Sequence, residues 1–218
     1  MLAQRVRRHL ALTLTVAGVL ACGDYTSSTS PVSHPKLQST GFTTSAAYSV
    51  VVSGTKARAV RWSSEHSQVD QKVSAVVGAD GATLSLPGSD FSLAIPAGAL
   101  RAPTTITVIS RAGPHVVYDM LPHGLKFAKP VVASQGLSKT AIYGTKAGSS
   151  VRSAYLPPGR EQIGVDDSAA PSELQAATTY FSPESRAESH LWLLNHFSRY
   201  ILISGVWIDV DVTVSGHQ

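Results

Sequence analysis

Cys22 is the sole cysteine of the chain, so its thiol cannot form an internal disulfide. The folded part must then be held by packing alone. His196-Phe197-Ser198 sets an imidazole and a hydroxyl on either side of one phenylalanine. An imidazole can take a hydroxyl proton, and the oxygen can then attack a carbonyl, so these residue types suit nucleophilic chemistry. The histidines (His9, His34, His66, His115, His123, His190, His196 and His217) form no His-x-x-x-His or His-x-His pair. With no further cysteine to help, zinc is not expected, although His190 and His196 could share a strand face. Asp209-Val210-Asp211 places two carboxylates on one face beside Trp207. Calcium takes roughly six to eight oxygens, and two carboxylates read instead as a solvated guard on a sheet edge. Trp62, Trp192 and Trp207 could line a sugar-binding face, although tryptophan in a sandwich more often fills core or rim. There is no Gly-x-Ser-x-Gly elbow and no glycine-rich phosphate loop. No cofactor and no metal are expected.

The neighbours of Cys22 decide what its thiol does. Arg5, Arg7 and Arg8 form a positive start, residues 10–20 (LALTLTVAGVL) an apolar stretch, and Val19-Leu20-Ala21-Cys22 follows at once. A permanent membrane helix needs ~20 apolar residues, so the stretch reads as an export signal. Gly18 and Ala21 are small, as a signal peptidase requires. The pattern resembles the bacterial lipobox. That resemblance implies a diacylglyceryl group on the Cys22 thiol and removal of residues 1–21 as a lipoprotein signal peptide. Each buried CH₂ contributes ~0.8 kcal/mol, so several acyl chains anchor stably. An acidic residue directly after the cysteine resembles an inner-membrane retention signal. Gly23 stands there instead, which favours the outer membrane. The expected address is the cell envelope, with the membrane as first partner.

Charge argues against nucleic acid. The chain has 18 basic and 14 acidic residues, but three of the basic ones precede Cys22, leaving 15 against 14. Binding phosphate backbones requires a concentrated basic face. Residues 22–47 hold the lipidated cysteine and then YTSSTSPVSHPKLQSTGFTTSAA, in which only Phe42 is strongly apolar. Such a stretch cannot bury enough surface to offset its ordering entropy, so it reads as a disordered tether.

Residues 48–218 read as one all-β domain, a single antiparallel β-sandwich. Short apolar runs at 48–52, 59–62 and 73–77 precede a turn at 78–81. Leu84 and Leu86 share one face, and Phe91, Leu93 and Ile95 share the next. Ile106 with Val108, Val116 with Val117, Leu125 with Phe127, and Val131 with Val132 continue between Gly and Pro breakers. Residues 191–200 read as one strand, and 206–214 alternate strongly. Turns every ~8–12 residues fit a sandwich. The one expected helix is 172–178 (SELQAAT), opened by Pro171 with Ser172 as cap. Residues 139–188 resist assignment.

Three segments carry a family resemblance. They are Gly81-Ala82-Thr83-Leu84, then Ile95-Pro96-Ala97-Gly98-Ala99-Leu100 with the Thr105-Ile106 strand, then Gly124-Leu125-Lys126-Phe127-Ala128-Lys129-Pro130-Val131. Together they resemble the core of the ZU-five domain of zonula occludens, Unc-five and ankyrin proteins. The likeness covers about residues 76–135 and 196–205, and departs at Ala82, where the family often has a second glycine. The motif also makes physical sense alone: Pro96 cannot donate to a ladder and ends its strand, and Gly98 can turn left-handed.

The resemblance implies a binding or scaffolding module in a short bacterial lipoprotein, not an enzyme. Its expected partners are an envelope protein or a cell-wall polymer. In some ZU-five proteins a His-Phe-Ser at this place cleaves itself. By that resemblance His196 is the base, Ser198 the nucleophile and Phe197–Ser198 the bond broken, in a single turnover. The fragment from Ser198 onward would stay paired in the sheet.

Overall fold

Period-two alternation builds almost everything observed. The computed structural model describes residues 49–51, 55–64, 69–182 and 187–208. The strands are β1 (Ser49–Val51), β2 (Thr55–Ala59), β3 (Gln71–Val77), β4 (Ala82–Leu86), β5 (Phe91–Ile95), β6 (Thr104–Ser110) and β7 (Val117–Leu121). They continue as β8 (Lys126–Gly136), β9 (Arg152–Leu156), β10 (Ser168–Ala169), β11 (Glu173–Gln175), β12 (Ala177–Ser182), β13 (Ala187–His196) and β14 (Arg199–Ile208). No α-helix occurs among the described residues.

The strands form two antiparallel sheets. The smaller runs β12-β13-β8-β5-β4, and the larger β1-β11-β9-β14-β7-β6-β3 with β2 and β10 joined beside β14. Between the sheets, Leu84, Phe91, Leu93, Ile95 and Trp192 from one meet Ile106, Val108, Tyr118, Met120 and Leu202 from the other. Full burial of such an aliphatic or phenyl side chain contributes ~1.5–3 kcal/mol. A β-sandwich is therefore the fold.

The larger sheet is buried on its outer face as well. Val117, Ile201 and Ile203 alternate with inward-facing Tyr118, Tyr200 and Leu202, and join Ala57, Ala59, Ala154 and Leu156 in a second core. Ala169 and Ile163 cover it. Residues 139–188, which the sequence left unassigned, thus supply both this cover and strands β9 to β12.

Three readings of the sequence need correction. The expected helix at 172–178 is instead β11 and the start of β12. Leu174 packs on the outer core while Gln175 turns inward and is buried, a strand alternation. Seven residues are too few to hold a helix against such pairing. The single strand expected at 191–200 is two strands in different sheets, with the chain crossing at Phe197-Ser198. Pro130 does not end a strand: β8 runs through it, where the β13 register shifts between Leu194 and His196. Proline is tolerated at such an irregularity because no ladder N–H is needed there. Of the stretch 206–214, β14 takes the residues up to Ile208; the rest lies outside the described residues.

A buried polar chain fixes the register of the core. The Tyr118 hydroxyl donates to Gln135 Oε1, and Gln135 Nε2 donates to the carbonyls of Ser89 at 2.7 Å and Gly136 at 2.8 Å. Burial pushes the Tyr118 hydroxyl well above the ordinary phenol range. Tyr118→Phe strips Gln135 Oε1 of its donor inside the core. Urea unfolding should show a loss of about 1–2 kcal/mol, whereas an unchanged midpoint would mean the contact contributes nothing.

Candidate functional site

The crossing from β13 to β14 holds the sequence-predicted tripeptide. β13 ends at His196 and β14 begins at Arg199. Phe197 and Ser198 are both buried. The Phe197 N–H donates to Leu125 O at 2.9 Å, and Gly124 N–H donates to Phe197 O at 2.8 Å. Met120 N–H donates to Ser198 O at 3.0 Å. Phe197 also meets Phe127 edge to face, ring centroids 4.7 Å apart. The crossing is thus clamped to the Gly124-to-Phe127 segment by main chain and side chain together.

The histidine points elsewhere. His196 Nε2 lies 3.7 Å from Glu173 Oε2, and its ring stands edge-on to Tyr155 at 5.3 Å. The Tyr200 hydroxyl donates to His196 O at 2.9 Å and lies 3.4 Å from Nδ1. Burial raises the Tyr200 hydroxyl far above its usual range, with the Glu173 carboxylate adding to the rise. Among the described residues no hydrogen bond joins the His196 imidazole to the Ser198 hydroxyl. Phe197 O, the carbonyl that a Ser198 attack would convert to an oxyanion, already has one main-chain donor in Gly124. Residue types carry no sign of that donor, because an amide partner follows from the fold.

The segments that carry the family resemblance converge at one corner. Gly98 N–H donates to Ala79 O at 2.7 Å, and Ala128 N–H donates to Ala99 O at 2.9 Å. Lys129 Nζ donates to Ala97 O at 2.7 Å. Gly81, with φ of +73°, sits so close to the Ile95-Pro96 main chain that a Cβ there would lie 2.1 Å from Ile95 O. The turn at 96–100 is therefore architectural, as its residue types suggested.

The remaining candidates separate. Cys22, with the whole of residues 1–47, lies outside the described residues, as do His66 and the Asp209/Asp211 pair. Trp62 and Trp192 are buried in the core and offer no sugar-binding face; the Trp207 side chain lies outside what the structure describes. His115 Nε2 lies 2.8 Å from Asp167 Oδ1, which also accepts from Arg61 Nε at 2.7 Å. The His115 hydrogen bond, helped by Arg61, holds the Asp167 carboxyl below its ordinary range. Among the described residues no group of three His, Cys, Asp or Glu could hold a metal.

A cavity of about 240 Å³ opens beside Arg111, His115, Val117, Ile163 and Arg199. Arg199 is bidentate to Asp119, at 2.6 and 2.8 Å, and that bond raises the guanidinium pKa. Arg111 reaches Asp70 at 2.6 Å and Asp119 at 3.6 Å. Both arginines of the cavity are thus held by aspartates, Glu161 in its lining accepts from Gly159 N–H at 2.8 Å, and the cavity volume falls below the ~300–1,000 Å³ of small-molecule sites. Compared with known proteins, the chain matches no family model and no curated protein.

Proposed function

We propose that the chain is an exported bacterial lipoprotein, anchored through Cys22, whose ZU-five-like sandwich acts as a protein-interaction or structural module at the cell envelope, with an envelope protein or cell-wall polymer as partner. The observation that carries this reading is the corner where Gly81, the 96–100 turn and the 124–131 segment meet, since these are the pieces on which the resemblance rests. The small volume of the cavity also favours a module over a small-molecule enzyme. Anchoring is tested by fractionating cells that express the full chain. Wild type should leave the membrane only with detergent, and Cys22→Ser should lose that behaviour. Equal partitioning of the two would overturn the anchor.

A second reading is self-cleavage, and the Gly124 donor on Phe197 O favours it. The Ser198 hydroxyl would attack Phe197 C, the Ser198 nitrogen would leave as an amine carrying the proton, and water would hydrolyse the ester. A denaturing gel should then show two chains in wild type and one in Ser198→Ala. A single wild-type band would remove this reading.

A further inference from the structure

We infer that β12 is a homotypic docking edge: two copies of this chain pair their β12 strands antiparallel, Tyr180 against Tyr180, joining their smaller sheets into one. This gives the proposed interaction module a partner, a second copy, and rests on that reading.

β12 is the end strand of the smaller sheet, paired only with β13 among the described residues. Exposed edges usually carry a charge, a proline or a bulge that opposes further pairing. The sequence of β12, ATTYFS, has no charge and no proline, and its register with β13 is unbroken from Ala177 to Ser182. Tyr180 is 55% and Phe181 53% exposed. The edge strand β3 of the larger sheet also exposes an apolar residue, Val76, but carries Lys72 on the same face, and β4 presents only Thr83 and Ser85 to solvent.

The main chain fixes which groups face outward. Leu193 N–H donates to Ala176 O at 3.0 Å. Main-chain bonding alternates along an antiparallel ladder. Residues 178, 180 and 182 therefore bond toward β13, while Ala177, Thr179 and Phe181 direct their N–H and C=O to the free edge. These edge groups can be satisfied by a strand.

Symmetry then selects the register. Two identical antiparallel strands in one sheet are related by a two-fold axis normal to it, and that axis must set one residue opposite itself. Centring on Tyr180 makes it a non-hydrogen-bonded pair, the kind with the closer side chains. Thr179 of each copy then exchanges both main-chain bonds with Phe181 of the other. Aromatic–aromatic and aromatic–β-branched pairs are the favourable cross-strand combinations. Centring on Thr179 would instead oppose Phe181 with Ala177.

The test uses the purified full chain carrying Cys22→Ser, with single cysteines at Thr178, Thr179, Tyr180 or Phe181 under mild oxidation. The expected result is a disulfide dimer from Tyr180→Cys at several-fold the yield of the other positions. Adding Phe181→Lys should abolish it, because two lysines would enter the edge. Light scattering on the same protein without the cysteines should show a concentration-dependent dimer that Phe181→Lys removes. Equal yields at all four positions, or no dimer by either measurement, would overturn the proposal. Such a failure with detergent-dependent anchoring intact would leave the envelope module standing with a different partner. Loss of anchoring with the dimer present would instead fail the module reading.

Discussion

Gly81→Ala should lower the unfolding free energy by about 2–4 kcal/mol, the sum of a left-handed backbone cost and forced overpacking. The added methyl would lie 2.1 Å from Ile95 O, 2.7 Å from Pro96 C and 2.9 Å from Ala97 N. All three are main-chain atoms, so no side chain can swing aside. They belong to the end of β5 and the turn that Gly98 N–H ties to Ala79 O. Gly78, three residues earlier, has nothing within 4 Å of its would-be Cβ. Gly78→Ala should therefore fall within about 0.5 kcal/mol of wild type, as surface substitutions do. Urea titration of both variants separates the explanations. Equal effects at the two positions would mean that the corner is not the constraint described.

Acidification should destabilise the domain through His190. The imidazole is fully buried in β13 and stacks on Trp192 at 5.6 Å between ring centroids. Neither ring nitrogen has a hydrogen-bond partner among the described residues. Burial, reinforced by the Arg152 cation, lowers its pKa from 6.5 to about 4. Gln135 and Thr179 lie opposite it on the two flanking strands and bring no charge.

The sign follows from proton counting. Above pH 6.5 the group is neutral in both states and contributes nothing to the slope. Between pH 6.5 and about 4 the unfolded chain binds a proton that the folded chain does not, so stability falls as pH falls. Below that both states are protonated and the loss is complete. It amounts to about 3 kcal/mol, a large share of a domain's total stability. The depressed Asp167 carboxyl acts only further into acid, since its ordinary value is 3.8. Denaturant unfolding from pH 7 to 4 should show the decline, and His190→Phe should flatten it. An NMR titration of wild type supplies a second measure: a His190 pKa near 6.5 would contradict the account even if the variant does not fold.

Much of this fold was legible in the residues. Leu84, Leu86, Phe91, Leu93 and Ile95 announced their strands because each faces the core on one side and solvent or sheet rim on the other. The wide glycine-rich stretch was not legible. Val151, Ser153 and Tyr155 face one core while Ala154 and Leu156 face another, so β9 shows no clean alternation. The same holds for Tyr200, Ile201, Leu202 and Ile203, buried on both faces of β14. The crossing at Phe197-Ser198 escaped notice because an apolar run does not reveal where a strand changes sheets. Of the candidate site, the tripeptide could be read from residue types. The Gly124 and Leu125 main-chain clamps and the turning of His196 toward Glu173 depend on contacts from distant segments.

The most direct test of the central proposal is the intact mass of the full chain after expression in a bacterium and extraction from its membranes. The account predicts one polypeptide beginning at Cys22, heavier than residues 22–218 by the acyl-glycerol modification on that cysteine. An unmodified chain that retains residues 1–21, or one cut elsewhere with Cys22 free, would contradict it.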